Sequence, residues 1–358
     1  MRIVITGASG NVGTALLRRL TAEGSAHDLV GVVRRPPENV GPYESVHWHS
    51  VDVAGADAAD RLRPVVAGAD AIVHLAWGFQ PTRNTGYLSR VGVGGTAAIL
   101  DAAHAESVGR LLHMSSVGTY AAGRYGSRVD ESWSTSGIAS SPYSRDKSAA
   151  EAVLDRYEHE HRGAGVAITR MRPGFVVQRG AASGQMRYFL PGYVPMSMIT
   201  HLPVLPLDRR LCIPLVHADD VADAFVRALD RGADGAFNLA AEPPVSRDNV
   251  ADALGARAVH LPSAVLGRLV DLSWRARLQP IDRGWLDMAF SVPLLDCGRA
   301  RAELGWQPRW SAAEALRDVL DGVTEGAHTV SPPLRRRSPV EQLRRSVTVG
   351  AKTVRHLP

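Results

Sequence analysis

The chain has almost nothing with which to cross-link itself. Only Cys212 and Cys297 occur among 358 residues, so there is no disulfide framework and no thiol pair at metal-ligand spacing. A reducing interior is the simpler expectation. No uninterrupted apolar stretch reaches bilayer-spanning length. The N-terminus runs from Met1 into the apolar residues 3–5 and then a glycine loop, leaving no room for a charged, apolar and cleavable leader, so the expected location is cytoplasmic. No internal repeat is visible. What the chain does have is apolar residues, 45% of the total, enough to bury a core as one large domain or two lobes. The formal charge of +5 is concentrated at the end of the chain. There Arg335, Arg336, Arg337, Arg344, Arg345, Lys352 and Arg355 face Glu341 as the only acid. The rest is near neutral, so the charge balance gives no reason to expect a nucleic-acid partner.

Short apolar runs at 2–6, 29–33, 46–49, 71–75, 111–115 and 166–170 alternate with helical-period segments at 12–23, 58–66, 94–106 and 143–161. That alternation predicts an α/β fold with a parallel sheet. After Pro173 comes a proline-broken apolar passage, MRYFLPGYVPMSMITHLPVLPL, which cannot form a regular helix and is expected to line a substrate pocket. The chain then returns to the sheet with a strand at 213–216, a helix at 219–230 and a strand at 236–240. The expected organisation is a nucleotide-binding domain over 1–175, a pocket insertion over 176–212, a return over 213–241, a small lobe over 242–330 and a basic tail over 331–358. In the tail, Val340, Leu343, Val347, Ala351, Val354 and Leu357 recur at nearly helical spacing. This fits a helix docked on its own protein, a solvated end, or a basic amphipathic helix on a membrane surface or partner.

Gly7, Gly10 and Gly13 follow the first strand and open a helical segment, the context in which backbone approaches a pyrophosphate at a helix N-terminus. At the end of the second strand, where an acid would accept hydrogen bonds from the ribose of NAD, the chain reads Val33, Arg34 and Arg35. Guanidinium groups suit a 2′-phosphate, so NADP is preferred over NAD. Asp52 and Val53 lie where an adenine ring would be met. Tyr143 precedes Lys147 by four residues, so on a helix the two share a face, and a nearby ammonium favours the phenolate. That makes Tyr143 a candidate general acid or base. Ser116 stands just past a strand's carboxyl end, where open α/β sheets bind ligands.

The chain resembles an extended short-chain dehydrogenase/reductase of the NAD-dependent epimerase/dehydratase family. The matching segments are GASGNVG at 7–13, Asp52 and Val53, HLA at 74–76, SSVGTY at 115–120, YSRDK at 143–147, RPG at 172–174, VHADDVA at 216–222 and LGWQP at 304–308. The resemblance implies a Rossmann-type doubly wound parallel sheet with a smaller interleaved C-terminal substrate lobe. It implies cofactor contacts from Gly7, Ser9, Gly10, Asn11, Val12, Gly13, Leu75 and Ala76, with Pro173 and Gly174 close to the nicotinamide. By the same resemblance Ser116, rather than Ser115, hydrogen-bonds the reacting oxygen, Tyr143 carries the proton, and Lys147 binds the nicotinamide ribose while lowering the Tyr pKa. A homodimer packed through helices 94–106 and 143–161 is the implied assembly.

Two departures matter. Gly92 stands where the family usually has an Asn of the proton relay. The stretch that usually offers polar and basic groups to a nucleotide-sugar diphosphate is here dominated by Tyr188, Phe189, Leu190, Tyr193, Met196, Met198, Ile199, Leu202 and Val204, with Arg179, Arg187, Arg209 and Arg210 nearby. The expected activity is therefore NADP- or NAD-dependent hydride transfer to or from a carbonyl or secondary alcohol of a relatively apolar small molecule. The alternatives are a nucleotide-sugar epimerase or dehydratase with retained cofactor, and a non-catalytic NADP-sensing regulator. No metal is expected: His217, Asp219 and Asp220 start a helix, where the aspartates are expected to cap free amides. Trp274, Trp285, Trp306 and Trp310 are expected in the core of the small lobe.

Overall fold

The computed structural model describes residues 1–22, 27–79, 81, 83–124, 126–189 and 202–336, apart from the side chains of 187 and 188. Its central sheet contains β1 (Arg2–Thr6), β2 (Asp28–Val33), β3 (Val46–Ser50), β4 (Ala71–His74), β5 (Arg110–Met114), β6 (Ala167–Pro173) and β7 (Gly235–Leu239). The spatial order is β7-β6-β5-β4-β1-β2-β3, with every pairing parallel. The chain steps outward from β1 through β2 to β3, then crosses back to β4 and continues the other way. The loops leaving β1 and β4 diverge at that reversal and open a crevice at the carboxyl edge.

The helices are α1 (Asn11–Thr21), α2 (Ala58–Val66), α3 (Gly95–Ala105), α4 (Pro142–Glu160), α5 (Ala182–Phe189), α6 (Ala218–Arg231), α7 (Ser263–Arg275), α8 (Arg283–Ser291) and α9 (Ala312–Glu325), with shorter ones between. Successive strand residues point to opposite faces. Ile3 and Ile5 accordingly join Leu16, Leu17 and Phe225 of α1 and α6 on one side. Val4 and Ile72 join Leu62, Ile99 and Leu154 of α2, α3 and α4 on the other. A strand covered on both faces can be apolar throughout, which is why RIVIT shows no alternation. Seven of the expected strands form this sheet, their ends shifted by at most three residues because ladder hydrogen bonds, not hydrophobicity, end a strand. The strand expected to return to it at 213–216 does not, since Pro214 divides that stretch into Cys212–Ile213 and Leu215–His217, which pair outside the sheet with Val245–Ser246 and Phe175–Val177.

The helix expected at 94–106 in fact begins at Thr85, since Thr85–Ser89 and a π-helical turn, Arg90–Gly94, run directly into α3. Glycines at 86, 92, 94 and 95 hid it. The interleaving of the second lobe is visible in its short ladders: Val204–Leu207 pairs with Arg257–His260, and Arg128–Val129 with Leu294–Leu295. Trp306 is completely buried and donates from Nε1 to the Asp220 carbonyl at 2.8 Å. Ser331 and Leu334 are also buried, so residues 331–334, assigned from sequence to the tail, belong to the folded body. The rest of the expected tail from 337 onward, the helix end at Glu23, and the candidate pocket residues Leu190, Tyr193, Met196, Met198 and Ile199 lie outside the described residues, as do the side chains of Arg187 and Tyr188.

The aspartates of the VHADDVA segment do not cap α6. His217 does, its ring nitrogen accepting from the Asp219 N–H at 3.2 Å. Asp220 instead accepts from the Arg309 and Trp310 amides at 2.8 and 3.2 Å, fastening the small lobe, and Asp219 pairs with Arg18 at 2.6 Å. Among the described residues no helix is long and apolar enough to cross a membrane.

Two buried histidines stand side by side on β4 and β5, His74 opposite His113, with ring centroids 5.5 Å apart. Burial first, and the Lys147 charge second, push His74 down to about 3, and His113 is lowered for the same reasons. Both are neutral in the folded protein, whereas in the unfolded chain they bind protons below about pH 6.5. Their contribution to stability is complete above that pH and is lost as pH falls toward the folded value. For His74 alone the expected loss between pH 7 and pH 5 is about 2 kcal/mol, read as a lower urea midpoint. A His74→Gln variant should lose less over the same interval; an equal loss contradicts neutral burial.

Candidate functional site

Gly7 turns the chain out of β1 at a φ of 69°. A Cβ there would stand 2.7 Å from the Ala76 nitrogen, and one on Gly13 would stand 2.4 Å from the Ala8 oxygen. Only glycine lets β1, the loop and α1 approach this closely. No side chain caps the first turn of α1, whose N-cap is Gly10. Its leading amides and positive helix end are therefore available to an anion. These features fit the pyrophosphate of a dinucleotide.

Two cavities meet at this loop. The smaller, about 170 Å³, is lined by Gly7, Ser9 and Gly10, by Arg34 and Arg35 after β2, by Asp52 and Val53 after β3, and by Leu75 and Ala76 after β4. Arg34 donates to the Tyr87 hydroxyl at 3.2 Å, and that hydroxyl donates to Asp52 at 3.2 Å. Pro332 and Pro333 close the same cleft, held by a hydrogen bond from the Ser331 hydroxyl to the Ser9 carbonyl. Nothing in the local sequence announces that these prolines return to the nucleotide loop.

The larger cavity, about 580 Å³, takes Asn11, Val12, Gly13 and Leu75 on one side, Ser116, Tyr143 and Lys147 on another, and Pro173 and Gly174 from the end of β6. Asn11 is fixed by donating to the Val176 carbonyl at 3.0 Å and accepting from Gln178 at 2.7 Å. Gly174 is sterically required, since a Cβ would lie 2.3 Å from the Pro214 oxygen. All the residues expected from the sequence to touch the cofactor or the reacting atoms line one or both of these joined spaces.

Ser116 caps the turn after β5, its Oγ accepting from the Gly118 N–H at 3.0 Å. Ser115 also borders the cavity, but its hydroxyl is committed to Glu151, to which it donates at 2.5 Å. Tyr143 sits in the first turn of α4, where Ser141 caps and Pro142 starts the helix, and the Ser116 side chain hydrogen-bonds its phenol. Gly118 packs against the ring, an added Cβ falling 2.9 Å from Cε1. Lys147, one turn later, donates from Nζ to the Met114 carbonyl at 2.7 Å and stands 3.4 Å from the centroid of the Trp77 indole.

The expectation that Lys147 lowers the Tyr143 pKa is not met in this arrangement. Burial pushes the phenol up to about 12, with the Ser116 hydrogen bond opposing only in part. The ammonium is engaged by Met114 and Trp77 and is itself held well below the ordinary lysine range by burial. At neutral pH Tyr143 is a protonated donor.

The remaining wall of the large cavity is apolar. Phe79 packs 5.2 Å from the Tyr143 ring and 5.1 Å from Trp285, and Phe189 lies 5.6 Å from Phe79. Phe175, Leu286, Met288 and Val292 continue the surface, and Gln185 interrupts it. Trp285, expected in the lobe core, is thus a cavity wall, while Trp274 lies under Arg83 and Trp310 stacks on His217 at 4.2 Å. Arg179 pairs with Glu325, and Arg210 with Asp208 at 3.0 Å. Neither they nor Arg209 line the cavity.

A family model described as the NAD dependent epimerase/dehydratase family matches residues 3–240. An uncharacterized protein of Mycobacterium tuberculosis is 29% identical over 347 residues, covering 94% of this chain but 32% of the relative. The chain therefore spans about a third of the length of the first curated relatives it matches. Sterol demethylase protein B of Methylococcus capsulatus is 28% identical over 232 residues, 59% of this chain and 67% of that protein. Among solved structures, a UDP-glucose 4-epimerase of Thermus thermophilus in complex with NAD superimposes with a TM-score of 0.65 at 20% identity, over 90% of this chain and 99% of that one.

Proposed function

The chain belongs to the NAD-dependent epimerase/dehydratase family, and from that premise we propose that it transfers hydride between NADP(H) and a carbonyl or secondary alcohol of a relatively apolar small molecule. One observation carries this reading: Ser116, Tyr143 and Lys147 open onto a cavity whose wall away from the glycine loop is mostly aromatic and aliphatic, interrupted by Gln185. Among the described residues Lys147 is the one cationic side chain that lines it, so a diphosphate placed there would lose its hydration for little charge compensation from them, a cost of several kcal/mol or more. The relative named for sterol demethylation points the same way, since a sterol is an apolar body bearing a hydroxyl. When bound, the dinucleotide supplies or takes the hydride. In reduction, the Ser116 hydroxyl donates to the carbonyl oxygen and Tyr143 delivers its phenolic proton to that oxygen, giving the alcohol. Lys147 would bind the nicotinamide ribose, the role that the family resemblance implies for it.

Arg34 and Arg35 support NADP over NAD. Replacing Arg34 by Glu should weaken NADPH binding by about 10- to 100-fold and leave NADH binding little changed, as read by fluorescence titration. Equal wild-type affinity for the two dinucleotides overturns the preference. The substrate reading is tested by following NADPH consumption with a steroid ketone and, separately, with UDP-glucose. Consumption with the ketone alone is expected. Conversion of UDP-glucose by protein carrying retained oxidised cofactor, without net NADPH use, would establish the epimerase reading that the structural likeness favours.

A further inference from the structure

Trp77 follows the Leu75–Ala76 pair of the cofactor cleft and occupies the centre of the site. Its ring centroid is 3.4 Å from Lys147 Nζ and 6.3 Å from the centroid of the Tyr143 ring, the two rings standing at 78°. Lys147 is 2% exposed. The other groups facing it are His74 and His113 from the sheet, and Tyr143 and Glu151 on its own helix. The histidines are neutral, and the Glu151 carboxylate is taken by Arg172 and Ser115. The Glu151 charge still favours the ammonium, and the groups in direct contact with Nζ that stabilise a positive charge are the Met114 carbonyl and the indole.

The indole is seated against Gly92. A Cβ on Gly92 would stand 2.7 Å from Trp77 Cη2, 2.9 Å from Cζ2 and 3.0 Å from Cζ3. Gly92 is buried in the π-helical turn, and its carbonyl accepts from Thr96 at 2.7 Å, so the backbone there is not free to retreat. Any side chain at 92 would drive the ring off the ammonium.

We propose that Trp77 is the positioning residue of Lys147, its indole face holding the ammonium beside Tyr143 and Gly92 providing the room for the ring. The polar side chain expected at 92 has no space, and the work of fixing the lysine passes to an aromatic face. The functional meaning of this arrangement rests on the Ser116, Tyr143 and Lys147 reading above, but its physical content does not.

The chain has only two lysines, Lys147 and Lys352, so carbon-13 labelling at lysine Cε gives two resonances, assigned with a Lys352→Arg variant. Removing the aromatic face while keeping the site apolar, by Trp77→Leu, is expected to lower the Lys147 titration midpoint by about half a pH unit or more, roughly threefold in proton affinity. Trp77→Phe should give a smaller drop. Gly92→Ala should lower the midpoint by displacing the ring, and the double variant Trp77→Leu with Gly92→Ala should go no lower than Trp77→Leu. An unchanged midpoint in Trp77→Leu overturns the proposal, and so does a raised one, because the indole would then only exclude water. Additive shifts in the double variant also overturn it. If Trp77→Leu does not fold, Trp77→Phe and Gly92→Ala carry the same comparison. The titration needs neither substrate nor turnover, so failure of the proposed reaction and failure of this inference are read separately.

Discussion

Tyr143→Phe is expected to reduce turnover about a thousandfold while dinucleotide affinity changes by less than about threefold, because the lost hydroxyl acts on the reacting oxygen rather than on the cofactor. The phenol is partly buried at the cavity wall, hydrogen-bonded to Ser116, and pushed by burial up to about 12. Throughout the neutral range it therefore holds the proton that carbonyl reduction consumes. Reduction should be nearly independent of pH around neutrality. Alcohol oxidation requires the phenolate and should rise with pH into the alkaline range. Single-turnover rates in the two directions, measured with wild type and the Phe variant, check both statements. Undiminished turnover by Tyr143→Phe would remove the phenol from the chemistry altogether.

The second large effect is structural. Glu151→Ala is expected to cost about 3–5 kcal/mol, because it strands the buried Arg172 guanidinium without its counter-charge. In the folded protein Glu151 Oε1 accepts from Arg172 Nε at 2.8 Å and from Ser115 at 2.5 Å. Oε2 accepts from Arg172 Nη2 at 2.9 Å and from Arg170 at 3.3 Å. Arg172 also donates to the Tyr120 hydroxyl and the Glu131 carbonyl, at 3.1 and 3.0 Å. This network ties α4, which carries Tyr143 and Lys147, to β6, which ends at Pro173. Burial raises the Glu151 pKa, but the Arg172 bonds outweigh it and the net shift is downward. The stabilisation is therefore present above the ordinary glutamate value and is lost as pH falls through the lowered folded value. Urea midpoints of wild type and variant should differ widely at pH 7 and converge below about pH 4. A difference under about 1 kcal/mol at pH 7 would mean that water or Asp155 replaces the carboxylate, contrary to the enclosure seen here.

Much of the nucleotide site was legible because its signals are local. Gly10 and Gly13 satisfy steric demands set by neighbours a few residues away in the loop, Gly7 supplies the positive φ of the turn, and Tyr143 and Lys147 share a face through helical periodicity alone. The choice between Ser115 and Ser116 came from the family pattern; in the structure the Ser115 hydroxyl is committed to Glu151, a partner 36 residues away that the local sequence does not announce. Other features were hidden because their partners are distant. Phe79, Phe189 and Trp285 form one apolar wall from three separate segments, and single aromatics have no period that reports their common destination. Pro332 and Pro333 looked like the start of a loose basic tail, yet Ser331 anchors them across the glycine loop.

The sequence by itself determined the central sheet, the glycine turn between β1 and α1, and the placing of Tyr143 and Lys147 one turn apart on a helix, since each depends on backbone sterics and spacing within one or two elements. Only the tertiary structure decided how those groups are charged and what surrounds them. Desolvation and long-range contacts reversed the expected shift of Tyr143, placed Lys147 on the Trp77 face that Gly92 makes room for, and lined the cavity with aromatics. Electrostatics depend on every neighbour in space, whereas helix and strand patterning depend mainly on neighbours in sequence.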